Sequence, residues 1–127
     1  MKDRILLADG DEPVRKMLAR VLESAGYVVL HASAASQAAS QLDSVRPDLV
    51  LLDMQSPKDD GWFACEAITH TAPNVPIIVI TSWPNQSELA LERGVDVLME
   101  KPLDMSLLLK NIQELLHNSK TSSTVAA

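Results

Sequence analysis

The chain has 127 residues, which suits a single domain large enough to bury one core. Apolar residues make up 46%, which argues against global disorder. A net charge of −6, with no run of Lys and Arg to offset it, argues against nucleic acid or an anionic membrane as the main partner.

Ile5-Leu6-Leu7-Ala8 predicts a first strand, followed at once by Asp9-Gly10-Asp11-Glu12. Val14, Met17, Leu18, Val21 and Leu22 recur at helical spacing and predict a helix over Glu12–Ser24, stopped at Gly26. Tyr27–Leu30 reads as a second strand, and Ser36–Val45 as a small-residue helix broken before Pro47. Leu49-Val50-Leu51-Leu52 is unbroken and apolar, as a strand covered on both faces must be, and Asp53 ends it. Trp62–Thr71 predicts a third helix. The β-branched run Pro76–Thr81 predicts a fourth strand. Asn85–Arg93 predicts a short helix: Asn85 and Glu88 have capping-box spacing, and Gly94 supplies the stop. Val95–Met99 is the fifth strand. Asp104 can cap a last helix carrying Leu107, Leu108, Ile112, Leu115 and Leu116. From Asn118 the composition turns to Ser, Thr and Ala, so the expectation is a folded domain over 1–117 and a frayed tail over 118–127. Strands alternating with helices throughout imply a parallel sheet with helices on both faces and right-handed crossovers.

No stretch is long and apolar enough to span a bilayer, and the opening residues lack a secretory pattern, so no membrane role is expected. Cys65 is the single cysteine, so no internal disulfide is expected and a reducing, cytoplasmic compartment fits. Its neighbours Phe63, Ala67 and Ile68 suggest that it is simply packed. His31, His70 and His117 are scattered, which argues against a Cys/His metal site.

In a parallel α/β sheet the carboxyl ends of the strands line one edge, where ligand chemistry gathers. Asp9 and Asp11 follow the first strand, Asp53 ends the third, Thr81 ends the fourth and Lys101 follows the fifth. Each has a bland reading alone: a helix cap for Asp11, a turn for Asp53, a β-branched strand end for Thr81, a surface charge for Lys101. Their joint arrival at one edge is what points to a site.

Four stretches carry a resemblance: Ile5–Arg15, Asp48–Gly61, Ile77–Ser82 and Glu100-Lys101-Pro102. Together they resemble the receiver (CheY-like) domain of bacterial two-component response regulators, over nearly the whole chain to about His117. The resemblance implies a three-layer (βα)5 flavodoxin-like sandwich with strand order 2-1-3-4-5. It implies that Asp53 accepts a phosphoryl group from a sensor histidine kinase or phosphotransfer protein. It makes Thr81 the switch hydroxyl and Lys101 the phosphate-pairing cation. It assigns Mg²⁺ to Asp9, Asp53 and the Gln55 backbone carbonyl, and allows a cis Lys101–Pro102 bond. Such chemistry is positioning and charge neutralisation, which is why acids, a hydroxyl and a lysine are needed together. It is self-modification of a regulatory domain, not the work of a metabolic enzyme.

The chain departs from that pattern in several places. The family has adjacent acids after the first strand, whereas here Gly10 stands second and the acid reappears at Asp11. Asp11 has two readings, helix cap or substitute Mg²⁺ ligand reached through a bend at Gly10, and the cap is preferred. Leu98 stands where the family has its switch aromatic, so the usual Thr–Tyr coupling is absent. Ser56 replaces a Met before the Pro of the third loop. The segment Thr81–Gly94 is short, which trims a face that many receivers use for homodimers or downstream partners. Trp83, two places after Thr81, is placed to restrict water at the phosphoryl group. The leading expectation is a phosphorylatable receiver acting through protein contacts. The alternative is a pseudo-receiver, an interaction module with weak or no phosphorylation, favoured by Gly10 and Leu98. A flavodoxin-like FMN protein is disfavoured, because Asp9-Gly10-Asp11-Glu12 would repel a phosphate that lacks a metal.

Overall fold

Apolar runs flanked by turn residues become strands, and the amphipathic stretches between them become helices. A computed structural model describes residues 2–54 and 61–126, with side chains to residue 118. Gln55 and Ser56 lie outside the described residues. The order is β1 (Arg4–Ala8), α1 (Glu12–Ser24), β2 (Val28–Ala32), α2 (Ala35–Val45), β3 (Leu49–Met54), α3 (Gly61–Thr71), β4 (Ile77–Thr81), α4 (Ser87–Glu92), β5 (Val97–Glu100) and α5 (Met105–Ala126). The strands form one five-stranded parallel sheet in the order β2-β1-β3-β4-β5, the expected topology.

Side chains alternate across a strand, so the sheet separates two apolar layers. Leu6, Val50, Leu52 and Val79 pack with Ala38 and Leu42 of α2, Cys65 and Ile68 of α3, and Ala90 of α4. Ile5, Leu7, Leu49, Leu51, Ile78 and Ile80 pack with Leu18 and Leu22 of α1 and Leu108, Ile112 and Leu116 of α5. Every residue of β3 and β4 is buried, as their continuous hydrophobic runs require. Met17 and Leu107, counted above as apolar helix positions, face outward instead. Among the described residues, no helix is long and apolar enough to cross a membrane.

Several boundaries differ from expectation. β3 runs on through Asp53 and Met54, which pair with Ile80 and Thr81, so Asp53 lies inside the strand and does not end it. β2 begins one residue later than expected and reaches Ala32, carried by its ladder with β1. β5 starts at Val97, because Val95 donates its N–H to Ala90 O and Asp96 is drawn to Ile77 by its N–H and its carboxylate. The Asn85–Glu88 capping box does not form. Asn85 takes a left-handed conformation at φ 62°, and Gln86 precedes α4 without a side-chain cap. Asp104 caps α5 as expected, accepting the Leu107 N–H at 3.0 Å. The backbone of α5 stays helical past His117 to Ala126, where composition alone suggested a tail. Once a helix is nucleated, each added residue gains a hydrogen bond, which offsets part of the weak helix preference of Ser and Thr.

Candidate functional site

The site stands at the carboxyl edge of β1, β3, β4 and β5. Asp9 and Asp53 continue the strand faces of Ile5/Leu7 and Leu49/Leu51, the layer shared with α1 and α5. Thr81 continues the face of Ile77 and Val79, the layer of α2, α3 and α4. All three are buried, with exposures of 1% for Asp9, 7% for Asp53 and 2% for Thr81. Buried polar side chains at strand ends are rarely accidental, because desolvation is costly unless something compensates.

Lys101 is that compensation for Asp53. Its Nζ lies 2.9 Å from Asp53 Oδ2, and its backbone N–H donates to the Thr81 carbonyl at 2.9 Å. The Lys101–Pro102 peptide is cis. Burial pushes the Asp53 carboxyl up to about 7, against the pull of the Lys101 hydrogen bond, and the neighbouring Asp9 charge pushes the same way as burial. Asp9 and Asp53 are thus electrostatic neighbours. Two buried carboxylates crowded together offer hard oxygen donors and an excess of negative charge, a donor set that fits a hard divalent cation such as Mg²⁺.

The remaining candidates fall differently. Asp11 caps α1, accepting the Val14 N–H at 3.3 Å, and its own N–H donates to Asp9 Oδ1 at 2.9 Å. Among the described residues no group of three or more His, Cys, Asp or Glu side chains gathers as a metal cluster, and the Asp11 carboxylate is engaged at the start of α1. Gly10 is not in a left-handed conformation, and a Cβ built there would meet only Ser33 O at 3.5 Å, an ordinary contact. The backbone therefore does not require glycine at this position. Gln55, the proposed carbonyl ligand, lies outside the described residues. Thr81 Oγ1 accepts the Trp83 N–H at 3.0 Å, and the Trp83 side chain is half-exposed. Leu98 packs into the layer of α2, α3 and α4.

Arg15 escaped the sequence reading. Its Nη1 donates to the Asp9 carbonyl at 2.7 Å, and its Nε donates to His31 Nδ1 at 3.3 Å. No local pattern signals these contacts, which reach 6 and 16 residues along the chain. A groove of about 390 Å³ opens beside the acids, lined by Val14, Met17, Leu18, Val21, Leu103 and Met105 with Asp53 and Lys101.

Residues 5–113 match the profile of the response regulator receiver domain. The chain belongs to that family. The receiver is 35% identical over 129 residues to the response regulator MprA of Mycobacterium ulcerans, covering 100% of this chain and 56% of that protein. MprA of Mycobacterium tuberculosis is 35% identical over 122 residues, covering 94% of this chain and 53% of that protein. The receiver thus spans about half the length of these curated relatives. Among solved structures, a CheY-like receiver domain protein from Methanospirillum hungatei superposes with a TM-score of 0.89 at 26% identity, covering 96% of this chain and 99% of that one. NtrX from Brucella abortus superposes with a TM-score of 0.87 at 26% identity, covering 99% of this receiver and 29% of its own chain.

Proposed function

We propose that this receiver accepts a phosphoryl group on Asp53 and uses the added charge to alter its protein contacts. The observation that carries the reading is the buried Asp53 carboxylate held at 2.9 Å by Lys101. In the transfer, an Asp53 oxygen forms a bond to phosphorus as the bond from phosphorus to the donor breaks. With a histidine donor, the leaving imidazole takes up a proton. Asp53 must be ionised to attack, and Lys101 favours that state. Lys101 is also placed to offset charge on the phosphoryl oxygens as the transition state spreads it. Mg²⁺, held by Asp9 and Asp53, would supply further neutralisation when bound. Thr81, buried at the end of the adjacent strand, would hydrogen-bond the modified side chain once its hydroxyl turns from the Trp83 N–H.

The donor would be a sensor histidine kinase or phosphotransfer protein. The apolar groove beside Asp53 supports this, since it offers a helical partner a seat next to the acceptor. The downstream partner would be a protein or an attached output domain, because the matched relatives extend well beyond this region. The single buried thiol, pushed up to about 12 by burial and so inert, fits a reducing cytoplasmic compartment.

A second reading, the pseudo-receiver, is favoured by one observation: among the described residues no group of three acids meets at the edge, and Gly10 stands where a further acid would. One experiment separates the two. The protein is incubated with Mg²⁺ and a small acyl phosphate, and intact mass is measured for wild type and Asp53→Asn. A phosphoryl-sized gain in wild type alone supports the receiver reading. No gain at high Mg²⁺ supports the pseudo-receiver.

A further inference from the structure

We infer that Arg15 is a positioning residue that fixes Asp9 in the site, with His31 as the second anchor of its guanidinium. The inference rests on the proposed function only in that Asp9 matters to the acceptor.

The turn after β1 is held from several directions. The Asp9 N–H donates to Ala32 O at 3.1 Å, tying it to β2. Asp9 Oδ1 accepts the Asp11 N–H at 2.9 Å. The Arg15 N–H donates to Asp11 O at 2.9 Å, the first turn of α1. The carbonyl of Asp9 points into none of these bonds and is taken by Arg15 Nη1 at 2.7 Å. That contact sets the plane of the Asp9–Gly10 peptide. Gly10 is the loosest link in the turn, since it has no Cβ to limit its torsions and its surroundings leave space for one. Without Arg15 the peptide could rotate about Gly10 and carry the Asp9 carboxylate away from Asp53. His31, at the exposed end of β2, keeps the guanidinium from swinging out to solvent by accepting at Nδ1. A charged donor on a carbonyl makes one of the stronger neutral–ionic hydrogen bonds, so this strut can outweigh the freedom that glycine introduces.

The test is amide hydrogen exchange by NMR on the Asp9 and Asp11 N–H groups. The panel is wild type, Arg15→Lys, Arg15→Ala, His31→Ala, Gly10→Ala and Arg15→Ala/Gly10→Ala. Arg15→Ala should lower protection at both amides about tenfold, as expected for losing a hydrogen bond from a charged donor, while the amides of β3 and β4 hold. Arg15→Lys should restore part of it, and His31→Ala should lower it less than Arg15→Ala. The loss should shrink when Gly10 is Ala, because a stiffer peptide needs the strut less. In the acyl phosphate assay, Arg15→Ala should raise the Mg²⁺ concentration giving half the maximal rate and leave that maximum little changed. Unchanged protection at Asp9 and Asp11 in a folded Arg15→Ala protein overturns the inference. If Arg15→Ala does not fold, unchanged protection in both Arg15→Lys and His31→Ala overturns it. Wild type that gains no phosphoryl group, yet shows the exchange pattern above, overturns the proposed function and leaves this inference standing.

Discussion

Lys101 Nζ meets Asp53 Oδ2 at 2.9 Å although β4 lies between the strands that deliver them. The lysine side chain is 30% exposed and the aspartate side chain 2%, so a partly hydrated cation reaches down onto a buried anion. An exposed ion pair contributes little, but removing the partner of a buried charge leaves that charge uncompensated. Lys101 therefore bears on the ionisation of Asp53 more than on the surface.

This relationship gives a pH dependence with a definite sign. Asp53 titrates near 3.8 when unfolded and is raised to about 7 in the fold, chiefly by burial. The native state thus keeps a proton that the unfolded state has released. Stability contributed by Asp53 is full below about pH 4, falls as pH rises and is lost above about pH 7. The difference in urea midpoint between Asp53→Asn and wild type, without metal, should widen in favour of the variant from pH 5 to pH 8. Added Mg²⁺ should narrow that difference at pH 8 by stabilising wild type alone. A difference that does not vary with pH would show that Asp53 ionises normally.

Gly10→Asp should fold normally, because a Cβ there meets only Ser33 O at 3.5 Å. The added carboxylate should tighten Mg²⁺ binding by about 10–100-fold, the scale on which supporting groups alter metal sites. Calorimetric titration of both proteins checks this. Unchanged affinity would mean that the new side chain does not reach the ion.

Trp83 donates its N–H to Thr81 Oγ1 and holds a half-exposed indole near the strand end. Trp83→Ala should shorten the lifetime of phosphorylated protein, by a factor on the order of ten for a barrier change of about 1.4 kcal/mol. The decay of the phosphorylated mass after donor removal measures it. An unaltered lifetime would mean that the indole only covers the sheet end.

Gly94 ends α4 at φ +80°, and a Cβ there would approach Thr69 Oγ1 to 2.8 Å and Cγ2 to 2.9 Å. Gly94→Ala should cost roughly 1–3 kcal/mol in urea denaturation, from backbone strain and collision together. Adding Thr69→Ala should recover the steric share and leave the backbone share. Full recovery would show that the left-handed conformation costs nothing.

Much of this was legible in the sequence because burial on both faces of a parallel sheet leaves unbroken apolar runs. Leu49–Leu52 and Ile77–Ile80 announce their strands, and the acids and hydroxyl that follow announce the edge. Asp104 could be assigned as a cap because a cap is a local contact. Asn85 has the spacing of a cap to Glu88 but takes a left-handed backbone, which spacing alone does not report. The start of β5 was misread because Asp96 satisfies β4 through its side chain. Arg15 was invisible for the same reason: its partners are on another strand and across a turn. Asp11 has two readings in the sequence, and its contact with Val14 supplies the cap.

The sheet is also a partition. Asp9 and Asp53 belong to the layer of α1 and α5, whereas Thr81 and Leu98 belong to the layer of α2, α3 and α4. In the proposed function, a donor arriving over the groove would occupy one side of this wall, and the response would emerge on the other. Sender and listener would then not compete for the same ground, and both could be bound at once. Leu98, packed in the far layer without a hydroxyl of its own, would pass on the turn of Thr81 as a shift in packing.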